Sequence, residues 1–140
     1  MNELPLVEEL PSELDVPTAL RAVSDWSNLL LLESARTGIP TGRYSFLMAD
    51  PFHFETRRAE EIIGPVSPQR AGTVSSSSDP LANLERLLAA NLASPVAGLP
   101  PFQGGAAGLL GYDLHRAWER IPLPHRDEFA LPALAVGVYD

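Results

Sequence analysis

The chain has 140 residues, with 18 acidic and 10 basic side chains, a formal net charge of −8 and no cysteine. This acidic balance argues against nucleic acid or an anionic membrane surface as the principal partner. The lack of cysteine excludes disulfides, thiolate metal sites and a cysteine nucleophile, and the 45% hydrophobic fraction is that of one globular domain or part of one.

The first third of the sequence predicts an irregular start, a helix and a short strand. Residues 1–15 are acidic and punctuated by proline, unlike the basic start of a signal peptide, so the cytoplasm is the expected location. Residues 16–24 predict a helix with Pro17 in its first turn, where proline is tolerated. The apolar run in "NLLLLES" favours a short buried strand that ends near Glu33.

Two further strands are expected on either side of a turn at Asp50 and Pro51. The segment "YSFLMAD", residues 44–50, is apolar on both alternating faces and predicts a central strand. The next segment, residues 52–57, alternates apolar and polar side chains and predicts a strand with one buried face. The face expected in the core carries Phe52, Phe54 and Thr56, and the face expected in water carries His53, Glu55 and Arg57.

A loop and a helix follow. Residues 64–78 are rich in proline, glycine and serine, which predicts a surface loop or linker between two structured halves. Asp79 and Pro80 are suited to cap and begin a helix. Its apolar face is marked by spacings of three and four residues and comprises Leu81, Leu84, Leu88 and Leu92.

Glycines at short intervals mark the stretch "PFQGGAAGLLGYDLHRAWERIP". Their spacing, G-G-x-x-G-x-x-G, matches neither a phosphate-binding P-loop nor a dinucleotide-binding turn. The apolar run is also about half as long as the roughly 20 residues that span a bilayer. We therefore interpret residues 104–112 as a buried strand whose glycines permit the close approach of another strand.

The C-terminal quarter predicts a short helix and a strand. Asp113 is expected to cap a helix that is stopped by "IPLP". The apolar face of this helix would carry Leu114, Ala117, Trp118 and Ile121. Residues 134–139 predict a buried core strand at the end of the chain.

The residues suggest no catalytic or metal site. The three histidines lie far apart without metal-ligand spacing, and the serine run at 75–78 lacks a nucleophile elbow and a histidine partner. We therefore assign no catalytic residue and no metal ligand to this chain.

One polar cluster suggests binding. Glu33 and Ser34 end one predicted strand, and Arg43 and Tyr44 begin the next, so pairing of the two strands would bring these ends together. A carboxylate and a hydroxyl beside a guanidinium can hold the ammonium and carboxylate of an amino acid. The alternative is a pair of polar strand ends with a surface ion pair between Glu33 and Arg43.

Four segments in order resemble the N-terminal region of a known enzyme family. They are "LLLLESA", "GRYSFLMADP", "FQGGAAGLLGYDLHRAWERIP" and "PALAVGVYD". This order is similar to that in component I of aminodeoxychorismate synthase and of anthranilate synthase, which use chorismate. The likeness runs from about Val16 to Asp140, and the ending of "YSFLMADP" looks more like the aminodeoxychorismate branch.

The resemblance implies an α+β fold, an antiparallel sheet with packed helices, as the N-terminal part of the component I sandwich. It implies that residues 16–140 form an incomplete N-terminal domain without the C-terminal chorismate-binding domain, where the catalytic groups and the Mg²⁺ ligands of the family lie. A glutamine amidotransferase subunit, component II, is the expected partner of the whole enzyme. The family's tryptophan pocket would map to Glu33, Ser34, Thr41, Gly42, Arg43 and Tyr44.

Three functional hypotheses follow. The first is the N-terminal part of aminodeoxychorismate synthase component I, in folate and 4-aminobenzoate biosynthesis, inactive alone; anthranilate synthase component I, in tryptophan biosynthesis, is its near alternative. The second is a free-standing module that binds an amino acid, L-tryptophan by resemblance. The third is a degenerate gene product with a structural role only.

Overall fold

The computed structural model describes residues 6–36, 38–62 and 79–140, so the loop predicted at 64–78 lies outside the described residues. The described residues form two compact units. The first unit contains the described residues up to Pro51 and Ala93–Gln103, and the second contains those of Phe52–Leu92 and Gly104–Asp140. The helices and strands are α1 Val16–Ala22, β1 Leu30–Leu32, β2 Phe46–Met48, β3 His53–Arg57, α2 Ala82–Ala90, β4 Gly105–Leu110 and β5 Leu134–Tyr139. Short 3₁₀ helices occur at Pro40–Gly42, Ala59–Glu61 and Tyr112–Ala117.

The first unit contains α1 and a two-stranded antiparallel sheet. Asp15 caps α1 by accepting a hydrogen bond from the amide of Thr18 at 2.8 Å, which confirms the predicted helix with proline in its first turn. In the sheet β1 pairs with β2, so the prediction of β2 as a central strand is wrong. β2 has one strand neighbour within the described residues, and all three of its residues are partly exposed.

Asp50 lies between the end of β2 and the start of β3. Asp50 has a φ of 51°, a left-handed conformation that its short polar side chain tolerates. Its amide donates to the carbonyl of Ser27, and its carboxylate accepts from the Ser27 hydroxyl, both at 2.8 Å. Asp50 and Pro51 form no hydrogen-bonded turn, and the strands before and after them belong to different sheets.

The second unit is built around β5. This strand is central in the order β3-β5-β4 and is antiparallel to both neighbours, and five of its six residues are buried. The predicted core strand is therefore confirmed. The core cluster packed on one face of the sheet consists of Ile62, Leu114, Ala117, Ala133, Leu134 and Val136.

The helices of the second unit pack against the core cluster, but only part of each predicted apolar face is buried. Leu81 and Leu84 pack against the core cluster, as the leucine spacing predicted. Leu92 lies beyond the end of α2 and is 83% exposed, and Trp118 is 51% exposed, so their assignment to apolar core faces is wrong. The helix expected from Asp113 is a 3₁₀ helix that begins at Tyr112.

The predicted faces of β3 are reversed. Phe54 pairs with Gly137, while Glu55 pairs with the buried Val136, so Glu55 lies on the core side of the sheet. The side chain of Glu55 is only 11% exposed, whereas Phe52 and Phe54 are 49% and 43% exposed. Alternation predicted the two faces of this strand, but the buried valines of β5 decide which face is covered.

β4 is an edge strand, so its prediction as a buried strand is wrong. Residues 108–110 are exposed, and within the described residues its second edge has no partner strand. The expected close approach is present at Gly108, where an added Cβ would lie 2.1 Å from the carbonyl oxygen of Ala135. Glycine is required there because the backbone of β5 occupies the space of a side chain.

Candidate functional site

The predicted meeting of two strand ends is confirmed in the first unit. β1 and β2 pair with Leu32 opposite Phe46, and this register continues to place Ser34 opposite Tyr44. The Ser34 hydroxyl donates to the carbonyl oxygen of Tyr44 at 2.6 Å, and the Ser34 amide donates to the hydroxyl of Ser45 at 3.1 Å. These two bonds fix the polar strand ends beyond the regular sheet.

Ser34 retains one chemical capacity after these bonds form. Its only hydroxyl proton is donated to Tyr44, but a hydroxyl oxygen has two lone pairs with which to accept hydrogen bonds. Ser34 can therefore accept a hydrogen bond from an ammonium group and cannot donate to a ligand while the Tyr44 bond persists. The arrangement suits the ammonium end of an amino acid better than its carboxylate.

Glu33 and Arg43 do not form the alternative surface ion pair. Both side chains are exposed, and the ion pairs within the described part of the chain do not include either of them. The Arg43 guanidinium lies over the ring of Tyr44, 5.0 Å from its centroid, in a cation–π contact. Each therefore has a charge available to a ligand, Glu33 for a cation and Arg43 for a carboxylate.

The 3₁₀ helix Pro40–Gly42 carries the two remaining predicted residues. A Cβ at Gly42 would lie 1.7 Å from the carbonyl oxygen of Arg36, so this position accepts only glycine without movement of the backbone. Thr41 lies in the same 3₁₀ helix, and its side chain is outside the described part of the structure. Glycine at position 42 thus allows the segment before Arg43 to lie close to the chain that leaves β1.

The sequence did not predict an aromatic row that begins at Tyr44. The rings of Tyr44 and Phe46 lie 6.0 Å apart, and Phe46 meets Phe102 edge to face at 5.9 Å. The alternation of Tyr44 and Phe46 along one strand was the available signal, whereas Phe102 comes from a distant part of the first unit. Tyr44 thus links this row to Arg43 through the cation–π contact.

A second polar cluster lies in the second unit. The carboxylate of Glu55 accepts hydrogen bonds from Arg57 at 3.0 Å and from Asn83 at 3.2 Å, and His53 Nε2 lies 3.9 Å from it. Because Asn83 belongs to α2, these bonds fasten the helix to β3. The cluster is a structural tie between two elements.

Neither unit contains a cluster of metal-binding side chains within the described residues. No group of three or more histidine, cysteine, aspartate or glutamate side chains there is placed to hold an ion. The same residues include no helix that is long and apolar enough to cross a membrane.

Comparisons with known proteins agree with the resemblance that the four sequence segments indicated. Aminodeoxychorismate synthase component 1 of Salmonella typhimurium is 41% identical over 112 residues, and that of Escherichia coli is 36% identical over 112 residues; each match covers 79% of this chain and 24% of the relative. A probable anthranilate synthase component 1 of Schizosaccharomyces pombe is 32% identical over 134 residues, or 94% of this chain and 24% of the relative. No family model matches the chain.

These matches cover most of this chain but only about a quarter of each of these three relatives. Of these three matches, the two to aminodeoxychorismate enzymes have the higher identities, which agrees with the preference indicated by the ending of "YSFLMADP". The chain is therefore homologous to part of component 1 of the aminodeoxychorismate and anthranilate synthases.

Proposed function

We propose that this chain is the N-terminal part of aminodeoxychorismate synthase component I. The whole enzyme would convert chorismate and ammonia into 4-amino-4-deoxychorismate, with ammonia supplied by a glutamine amidotransferase subunit, in the cytoplasm. The observation that carries this proposal is the 41% identity over 112 residues to a component 1 of that name. The groups that act on chorismate, including the ligands of Mg²⁺, would lie in polypeptide outside these 140 residues.

The role of this part would be to support the catalytic domain and to present the amino-acid site. The isolated chain should not consume chorismate in the presence of ammonia and Mg²⁺. A chimera, in which this chain replaces the matched region of a relative's component 1, should form aminodeoxychorismate. Chorismate turnover by the isolated chain, or an inactive chimera beside an active parent enzyme, would contradict the proposal.

Anthranilate synthase component I is the second candidate. A match over 94% of the chain and the cluster of Glu33, Ser34 and Arg43 favour it, because that cluster offers partners for both charged ends of an amino acid. Tryptophan is the ligand to test, since the row of Tyr44 and Phe46 would adjoin its indole ring. Binding would make tryptophan a regulator or a structural ligand of the site.

Calorimetric titration with L-tryptophan tests the amino-acid site. We expect saturable binding that Arg43→Ala abolishes, because this substitution removes the group that would bind the carboxylate. Arg120→Ala is the matched control, since Arg120 is exposed and lies in the second unit. Ser34→Ala is a less specific test because it also removes the bond to Tyr44. A folded protein that gives no heat signal would contradict the site in the isolated chain.

A further inference from the structure

The two edges of the sheet in the second unit differ in charge. β3 forms one edge and carries His53, Glu55 and Arg57, and charged side chains on an edge strand discourage pairing with another chain. β4 forms the other edge, and its sequence "GAAGLL" contains no charged residue and no proline. Within residues 6–36, 38–62 and 79–140, no strand pairs with the outer edge of β4.

The exposed end of β4 is apolar on both faces of the sheet. Leu109 is 42% exposed and Leu110 is 58% exposed. Neighbouring residues of a strand point to opposite faces, so these leucines project on the two sides of the sheet. A partner lying on one face would cover one leucine, whereas a strand added at the edge would reach both.

We propose that the outer edge of β4 accepts an extended strand from the remaining polypeptide of a component I enzyme. This inference rests on the proposed function. About three-quarters of the length of these relatives lies outside the region that they share with this chain, and that polypeptide is the available source of the strand. Addition of a strand would satisfy the outward N–H and C=O groups of β4 by main-chain hydrogen bonds.

Hydrogen exchange in the chimera tests this edge. In the isolated chain the outward amides of β4, at alternate residues, should exchange quickly. In the active chimera the same amides should exchange about a hundredfold more slowly, because each would be hydrogen-bonded to the added strand. Synthase activity is measured on the same samples, so the function and the edge are read separately.

Three lysine substitutions distinguish edge binding from face binding. Leu109→Lys and Leu110→Lys should restore fast exchange of the outward β4 amides in the chimera. Phe54→Lys is the matched control: Phe54 is 43% exposed on the opposite edge, and its pairing with Gly137 puts it on the same face as Leu109, which pairs with Ala135. This control should leave the exchange rates unchanged.

The possible outcomes separate the two proposals. If an active chimera exchanges its β4 amides as fast as the isolated chain, or if Phe54→Lys acts like Leu109→Lys, the edge proposal is wrong and the function stands. If the chimera is inactive while the parent enzyme is active, both fall. If β4 of the isolated chain becomes protected as its concentration rises, a second copy occupies the edge and the proposal is overturned.

Discussion

Substitution of Gly108 by alanine should destabilise the second unit by more than the small size of the added methyl group suggests. The added Cβ would lie 2.1 Å from the carbonyl oxygen of Ala135 and 2.8 Å from the Cα of Val136. Both atoms belong to the backbone of β5, which also pairs with β3. The clash therefore cannot be relieved by rotation of a side chain, and one strand must move away from the other.

The magnitude follows from the size of that movement. Ordinary contact begins near 3.4 Å, so the 2.1 Å approach leaves an overlap of about 1.3 Å. Overpacking of this kind costs ~1–3 kcal/mol, and a shift of that size would also weaken one or two hydrogen bonds between β4 and β5 at ~1 kcal/mol each. We expect a loss of about 2–4 kcal/mol in the free energy of unfolding.

Urea denaturation followed by circular dichroism measures this loss. The urea concentration at the midpoint of unfolding should fall, while the slope of the free energy of unfolding against urea concentration stays unchanged. Gly98→Ala is a matched control, because an added Cβ there meets nothing within 4 Å and the substitution tests only the positive φ of 89°; its cost should be ~1–2 kcal/mol. A Gly108→Ala protein as stable as the wild type would refute the assigned approach of β4 to β5.

Three further predictions concern hydrogen bonds and burial. Asn83→Ala should lower the free energy of unfolding by ~1–2 kcal/mol in chemical denaturation, because it removes a hydrogen bond from the largely buried Glu55 carboxylate; a neutral effect would contradict the tie between α2 and β3. Hydrogen bonds from the Thr18 side chain and from its amide lower the pKa of the Asp15 carboxyl, so the stability that they add is present above pH ~4 and lost as the pH falls through the lowered pKa. Asp15→Ala should therefore lower stability at neutral pH and converge with the wild type in acid, and a difference that persists at low pH would exclude the charge as its cause. Burial raises the pKa of Tyr139 above its ordinary value of ~10, so its contribution to stability is present below pH ~10 and lost as the pH rises through the raised pKa; ultraviolet titration should show a late phenol component that Tyr139→Phe removes, and no such component would refute the burial.

Local patterns predicted most elements of this chain, because each element is specified by neighbouring residues. The proline in the first turn of α1, the leucine spacing of α2 and the apolar run of β5 are all short-range signals. The number of strands beside β4 has no such signal. Glycine spacing reports that a backbone passes close by, but it does not report whether one strand or two do so.

Which face of β3 is buried could not be predicted from local sequence patterns. Alternation assigned Phe54 to the core and Glu55 to water, since burial of a lone carboxylate is costly. Arg57 and Asn83 remove much of that cost by hydrogen-bonding to Glu55, and Asn83 comes from an element 28 residues away. The candidate site shows the same limit of local patterns. The pairing of β1 with β2 was predictable from them, whereas the approach of Phe102 to Phe46 was not.

The central position of β5 sets the order in which the second unit can be made. β3 ends at Arg57 and β4 ends at Leu110, yet both pair only with the strand Leu134–Tyr139 within the described part of the chain. During synthesis β3 and β4 are made before their shared partner β5, so neither can pair with it until residues 134–139 have emerged from the ribosome. Such late, non-local pairing is slow and leaves strand edges open. Expression of this unit should therefore depend on chaperones more strongly than its size suggests.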